Sequence, residues 1–262
     1  LIVMKNLFKI LSQNNRQKIT LFIFLFSLFS VFGQEKKQDS TKTEKLDAVL
    51  VKAVRVDAKS PITHSNVSKE ELAKRNLGQD IPILLNFLPS VVTTSDAGAG
   101  VGYTGIRVRG VSSQSTNVTI NGIPYNDAES LGTFWVNLGD FSSSVESLQL
   151  QRGVGTSTNG SGAFGASINV LTDAVSNEAK GEISNSIGSF NSRKHTVKYS
   201  TGLLNDHFEI AGRLSNIVSD RYIRRATSDL KSYFLQGSYI DDNTLIKAVV
   251  FGGQEVTYQA YN

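Results

Sequence analysis

Beyond residue 180 the chain alternates between apolar and polar side chains. Five segments, 182–190, 194–203, 208–218, 232–240 and from 245 onward, put the two kinds on opposite faces, which is the period of a β-strand. LNDH (204–207) and DDNT (241–244) read as tight turns between them, whereas SDRYIRRATSDLK (219–231) is a longer, charged connection. Pro124 is the last proline, which suits long paired strands because proline removes a ladder donor. Short turns at one end and longer loops at the other describe an antiparallel meander. On this pattern it is either a transmembrane β-barrel or a soluble sandwich.

Residues 57–173 follow a different pattern. Ser68 and Glu71 form a capping box that predicts a helix to about Asn76, with Gly78 as its left-handed stop. Asp80-Ile81-Pro82 opens a second short helix that ends at Pro89. Strands are predicted at 90–94, 106–110, 118–120, 145–151 and 166–171. A glycine loop spans 96–104, Asn121-Gly122 makes a tight turn, and 172–180 is a polar joint. Thirteen of the 22 glycines lie between Gly98 and Gly165, so backbone can reverse sharply and approach closely there. That favours a small β-rich globule with large loops over a helical or doubly wound enzyme.

The N-terminus points to export. Lys5, Lys9, Arg16 and Lys18 precede an uncharged stretch, ITLFIFLFSLFSVF (19–32), and VFG (31–33) stands where a signal peptidase reads. The stretch is shorter than the ~20 residues of a spanning helix. Residues 1–33 therefore read as a signal peptide, with a membrane-anchoring helix as the alternative. Residues 34–56 are a linker: QEKKQDSTKTEKLD is polar and aperiodic, and LDAVLVKAVRV (46–56) is a β-prone patch emerging from it.

Net charge is +4 with 40% hydrophobic residues, which excludes a disordered polyanion and a polybasic nucleic-acid binder. Cysteine is absent, so disulfides, thiolate metal sites and N-terminal cysteine lipidation are excluded. GVGYTG (100–105) has dinucleotide-loop spacing, but a predicted strand follows it where a helix is needed. There is no P-loop and no GxSxG elbow, and His64, His195 and His207 lack zinc spacing. Asn117 heads a glycosylation sequon, but within a strand. The expectation is no enzyme, no cofactor and no metal site.

IRVRG (106–110), INGIPYND (120–127) and ESLQLQRGVGTSTNGSGAFGASINV (146–170) resemble the plug domain of TonB-dependent outer-membrane receptors. The resemblance covers roughly 46–172, with its motifs in the family's order. It implies an α+β plug domain, a small mixed sheet with short helices (57–173), followed by the first strands of an antiparallel transmembrane β-barrel (180–262). About five strands against the ~22 of plugged transporters implies the N-terminal part of a longer receptor.

The resemblance also implies site residues. Leu46, Asp47, Ala48, Val49, Leu50 and Val51 match the TonB box, gripped as an added strand by the energy-coupling complex of the inner membrane; a plain first strand is the other reading. Arg109 and Arg152 match plug arginines that pair with glutamates on the barrel wall, expected here beyond residue 262. The bland alternative is two exposed strand-end arginines. Tyr103, Tyr125, Phe134 and Trp135 lie in or beside three outward loops (96–103, 111–116, 125–134). They form either a ligand surface or filling between plug and barrel. The implied function is energy-coupled uptake of a scarce nutrient complex, a ferric siderophore or other iron complex, across the bacterial outer membrane. Expected partners are that coupling complex, the small ligand and outer-membrane lipid, with no nucleic acid. The alternative is a secreted or surface-attached β-rich adhesion module.

Overall fold

The computed structural model describes residues 55–57, 59–155, 163–220 and 222–258. The predicted signal peptide and the box candidate (46–51) lie outside the described residues.

Two β-rich layers are built in chain order. β1 (His64–Ser68) runs straight into α1 (Lys69–Arg75). Ser68 makes that junction. Its hydroxyl accepts from the Glu71 amide at 3.3 Å, and the Glu71 carboxylate accepts from the Ser68 amide at 3.0 Å. α2 (Ile81–Leu84) is shorter than the sequence suggests. Past Leu84 the amides of Asn86 and Leu88 bond three residues back, and the chain tightens into turns before Pro89. β2 (Val91–Ser95) and β3 (Thr104–Val108) form a separate hairpin around the glycine loop.

The main plug sheet has the order β1-β6-β7-β4-β5. Its remaining members are β4 (Thr116–Ile120), β5 (Ile123–Pro124), β6 (Val145–Arg152) and β7 (Ala166–Thr172). β7 runs antiparallel to β6 and parallel to β4, so the sheet is mixed. One face carries Val118, Ile120, Leu148, Leu150, Ile168 and Val170. These pack with Leu72, Leu84, Leu85, Ile106 and Val108 into the core. The other face is polar yet buried, with Gln149, Gln151, Ser167 and Asn169 all at or below 1% exposure.

β8 (Lys180–Ile187), β9 (Arg193–Ser200), β10 (Phe208–Ser219), β11 (Ser228–Asp241) and β12 (Thr244–Val256) form a second sheet. They pair in sequence order, each antiparallel to the next. Their alternation is inverted relative to a soluble sheet. Phe208, Ile210, Leu214, Tyr233, Leu235, Ile246 and Val250 point outward and are exposed. Glu209, Arg213, Ser215, Ser232, Gln236 and Ser238 point inward and are buried. An apolar exterior over a polar interior is the pattern of a transmembrane barrel wall, where lipid takes the outer face. Strands of 12 to 14 residues (β10–β12) exceed the ~9–11 needed to cross the hydrocarbon layer.

Candidate functional site

The wall's inner face closes directly on the plug. Phe141, in a 3₁₀ turn before β6, sets its ring edge-on to Phe234 of β11 at 5.6 Å and to Phe251 of β12 at 5.0 Å. Phe234 is thereby part of the plug's own core. Glycine makes the approach possible. A Cβ on Gly139 would stand 2.5 Å from Leu230 Cδ1, and one on Gly102 would stand 2.4 Å from Thr257 Oγ1.

Asp140 follows Gly139 with φ +49°, a left-handed position that aspartate tolerates. Its side chain has no solvent exposure and receives two wall cations, Lys194 Nζ on Oδ1 at 2.8 Å and Arg213 Nη1 on Oδ2 at 2.9 Å. Both cations are themselves almost wholly buried, at 2% and 1%. Ser143 donates to Oδ1 at 2.7 Å and Thr196 to Oδ2 at 3.1 Å; Ser215 also donates to Oδ2. Arg213 donates to the Asp140 carbonyl as well. Burial by itself would raise the Asp140 pKa. Lys194 and Arg213 overcome it and hold the carboxyl below the usual carboxylate range.

A second anchor sits at the joint. Asp173 binds Lys69 of α1 at 2.7 Å and Lys198 of β9, while its carbonyl accepts from Gln236 of β11 at 3.1 Å. Burial again opposes ionisation, and Lys198 and Lys69 keep the carboxyl low. Lys69 also pairs with Glu146 at 3.0 Å, so helix, sheet and wall meet at one network.

In these two networks the anions belong to the plug side and the cations that bridge from the wall to β9 and β10. The arginines singled out from the sequence lie elsewhere. Arg152 is 7% exposed; its Nε donates to the Pro89 carbonyl at 3.0 Å and its Nη2 to Ser65. Arg109 is exposed, with φ +54°, and its Nη1 lies 2.7 Å from where a Gly153 Cβ would be. Burial and then the nearby Arg109 push the Arg152 pKa below arginine's ordinary value. Among the described residues no carboxylate forms a salt bridge with either.

The four loop aromatics separate into two pairs. Tyr103 and Phe134 are exposed, at 36% and 48%. Trp135 is 3% exposed within the plug core, and Tyr125 is half-buried with its ring 6.0 Å from Phe251 of the wall. Sequence reasoning missed Asp140, Asp173, Lys194, Lys198 and Arg213. The available signal was Lys194 and Lys198 sharing one face of β9 with Thr196 and Ser200, opposite Val197 and Tyr199.

Among known proteins, residues 56–167 match the family model "TonB-dependent Receptor Plug Domain". The chain is 24% identical over 169 residues to the probable TonB-dependent siderophore receptor PirA of Acinetobacter baumannii, covering 59% of this chain and 22% of that one. It is 28% identical over 210 residues to the vitamin B12 transporter BtuB of Vibrio vulnificus, covering 79% and 33%. The crystal structure of the siderophore receptor PirA from Acinetobacter baumannii superposes with a TM-score of 0.55 at 20% identity, covering 74% of this chain and 32% of that one. The chain thus spans between about a fifth and a third of the length of these relatives.

Proposed function

We propose that this chain, whose residues 56–167 match the TonB-dependent receptor plug domain, serves energy-coupled uptake of a scarce nutrient complex across the bacterial outer membrane. The observation that carries the reading is the inverted wall, apolar outside and polar inside, with its inner side chains spent on holding the plug. A plug fastened by buried ion pairs is a gate that must be worked by an outside source of energy, since separating such pairs is strongly unfavourable.

In this reading Leu46, Asp47, Ala48, Val49, Leu50 and Val51 are the segment gripped by the TonB complex. Arg109 and Arg152, adjacent and without carboxylate partners among the described residues, are the plug's offer to glutamates of further wall strands. Tyr103 and Phe134 present aromatic surface to the ligand, while Tyr125 packs against Phe251 of the wall and Trp135 within the plug core. The ligand is a ferric siderophore or another iron complex; the name of the relative PirA supports this substrate class. The chain acts as a transporter component, not an enzyme.

Deleting residues 46–51 from the complete receptor is expected to abolish uptake while ligand binding persists. Undiminished uptake in that deletion refutes the box assignment. Binding of ferric siderophores by the complete receptor, compared with cobalamin and copper complexes, tests the substrate class; a preference for either rival overturns the iron reading.

A further inference from the structure

Just before β1, two residues cross the polar face of the plug sheet and are held there by five hydrogen bonds. The Arg55 guanidinium donates from Nη1 to Ser147 Oγ at 2.9 Å, and from Nη2 to the carbonyls of Ser147 at 2.7 Å and Asn169 at 2.9 Å. The Gln149 carboxamide takes both backbone groups of Val56. The Val56 amide donates to Oε1 at 3.0 Å, and Nε2 donates to the Val56 carbonyl at 2.9 Å. Gln149 is itself fixed, since Nε2 also reaches Asn66 at 2.8 Å and Oε1 accepts from Gln151 at 2.9 Å. The contact therefore joins β1 and β6 through one prearranged amide, and Arg55 adds β7. Ser147 stands beside the register shift in the β6–β7 ladder.

The chemistry of this contact differs from that of the Asp140 anchor. Among the described residues Arg55 has no carboxylate partner, and its Nε is buried without an acceptor. Burial lowers its pKa to about 10, which leaves it charged at neutral pH. A guanidinium held by carbonyls and one hydroxyl, with no counter-charge, is geometrically well fixed. It nevertheless regains its full hydration when it leaves. Asp140, by contrast, would strand two buried cations. Of the two attachments, the one at Arg55 is built to let go.

We propose that Arg55–Val56 is a release clasp. A pull on the chain N-terminal to it must first withdraw Arg55 and Val56 from Ser147, Gln149 and Asn169, and only then does it load β1, which is paired to β6. The clasp sets the first threshold for opening, ahead of the Asp140 and Asp173 anchors. This inference rests on the reading that the coupling complex pulls from the N-terminal side.

The test uses the complete receptor in detergent or membrane. Arg55→Ala should speed amide hydrogen exchange at Val56 by at least about tenfold, equivalent to about 1.4 kcal/mol. Exchange in β9 and β10 should stay unchanged. Single-molecule pulling from the N-terminus should show a first rupture at lower force in Arg55→Ala, with Arg55→Lys between it and the parent. Should Arg55→Ala fail to assemble, Arg55→Lys keeps the charge, removes the planar fork, and is read by the same two measurements. Unchanged Val56 exchange together with an unchanged first rupture overturns the clasp. Failure of the coupling reading shows separately, as uptake that survives loss of 46–51.

Discussion

Replacing Asp140 by asparagine keeps the shape of the side chain and removes the one charge that two wall cations share. Lys194 and Arg213 then remain in the interface at 2% and 1% exposure with no counter-ion. Breaking a buried pair from one side is worth about 3–5 kcal/mol, and here two cations lose their partner, so the upper part of that range is expected. Denaturant unfolding of the complete receptor in detergent should show the loss, and hydrogen exchange should place it in β9, β10 and the 139–144 turn. A companion variant makes the argument specific. Asp140→Leu, Lys194→Met and Arg213→Met together remove the charges as a set, and most of the loss should be recovered, because an apolar replacement of a buried ionic group is often neutral or better. Acid gives a second view. The folded-state pKa of Asp140 lies below its unfolded value of 3.8. Its contribution is therefore complete above that value and fades only as pH falls through the lower, folded one. Docking should hold from neutral pH to about pH 5 and weaken below about pH 4. A loss within about 0.5 kcal/mol, the range of ordinary surface changes, would refute the reasoning, as would a triple variant no better than Asp140→Asn.

Other changes separate the same forces. Asp80 behaves oppositely to Asp140: burial, aided by repulsion from Glu255 and Asp140, pushes its pKa well above 3.8, against the bonds from Thr104 and Gly102. Its ionisation weakens the fold as pH rises above 3.8, so Asp80→Asn should stabilise the receptor at pH 7 and make no difference below about pH 4 by denaturant titration. Gly139→Ala forces a methyl to 2.5 Å from Leu230 Cδ1 and should destabilise by about 1–3 kcal/mol. Adding Leu230→Ala should make the pair milder than the sum of the two, which a double-mutant cycle measures. Leu214→Arg places a charge on the outward face of β10. It should lower membrane assembly by about 2–4 kcal/mol if Leu214 sits near mid-bilayer, measured by folding into vesicles.

Much of this architecture is legible locally. The Ser68–Glu71 box forms both reciprocal bonds that its spacing predicts. Asn121 and Gly122 adopt the paired positive φ values, 50° and 84°, of a tight hairpin turn. β10 and β11 were visible as alternation because one of their faces meets a single uniform environment along its whole length. The plug sheet was harder. β7 is buried on both faces, so Ser167 and Asn169 are as hidden as Ile168 and Val170, and alternation no longer reports burial. β1 (HSNVS) has too few apolar residues to announce a strand; its pairing with β6, 79 to 87 residues onward, defines it. Asp140 was invisible for a similar reason. Nothing around it in sequence marks it, and its meaning comes from Lys194 and Arg213, far along the chain and on another sheet. Long-range electrostatic pairing is the part of a fold that local pattern does not carry.

The every-other-residue rhythm of β8 to β12 bears on how such a chain is made. A greasy residue followed by a hydrophilic one never accumulates into the unbroken stretch that a bilayer would retain during secretion. Each strand is thus passable in transit as a mere thread. Its lipophilic side comes into being only when neighbours zip together and all the Leu214-like residues are swept to one surface. Affinity for the membrane is then a property of the assembled ribbon, switched on at the moment of pairing, and the nascent polypeptide carries it only in latent form.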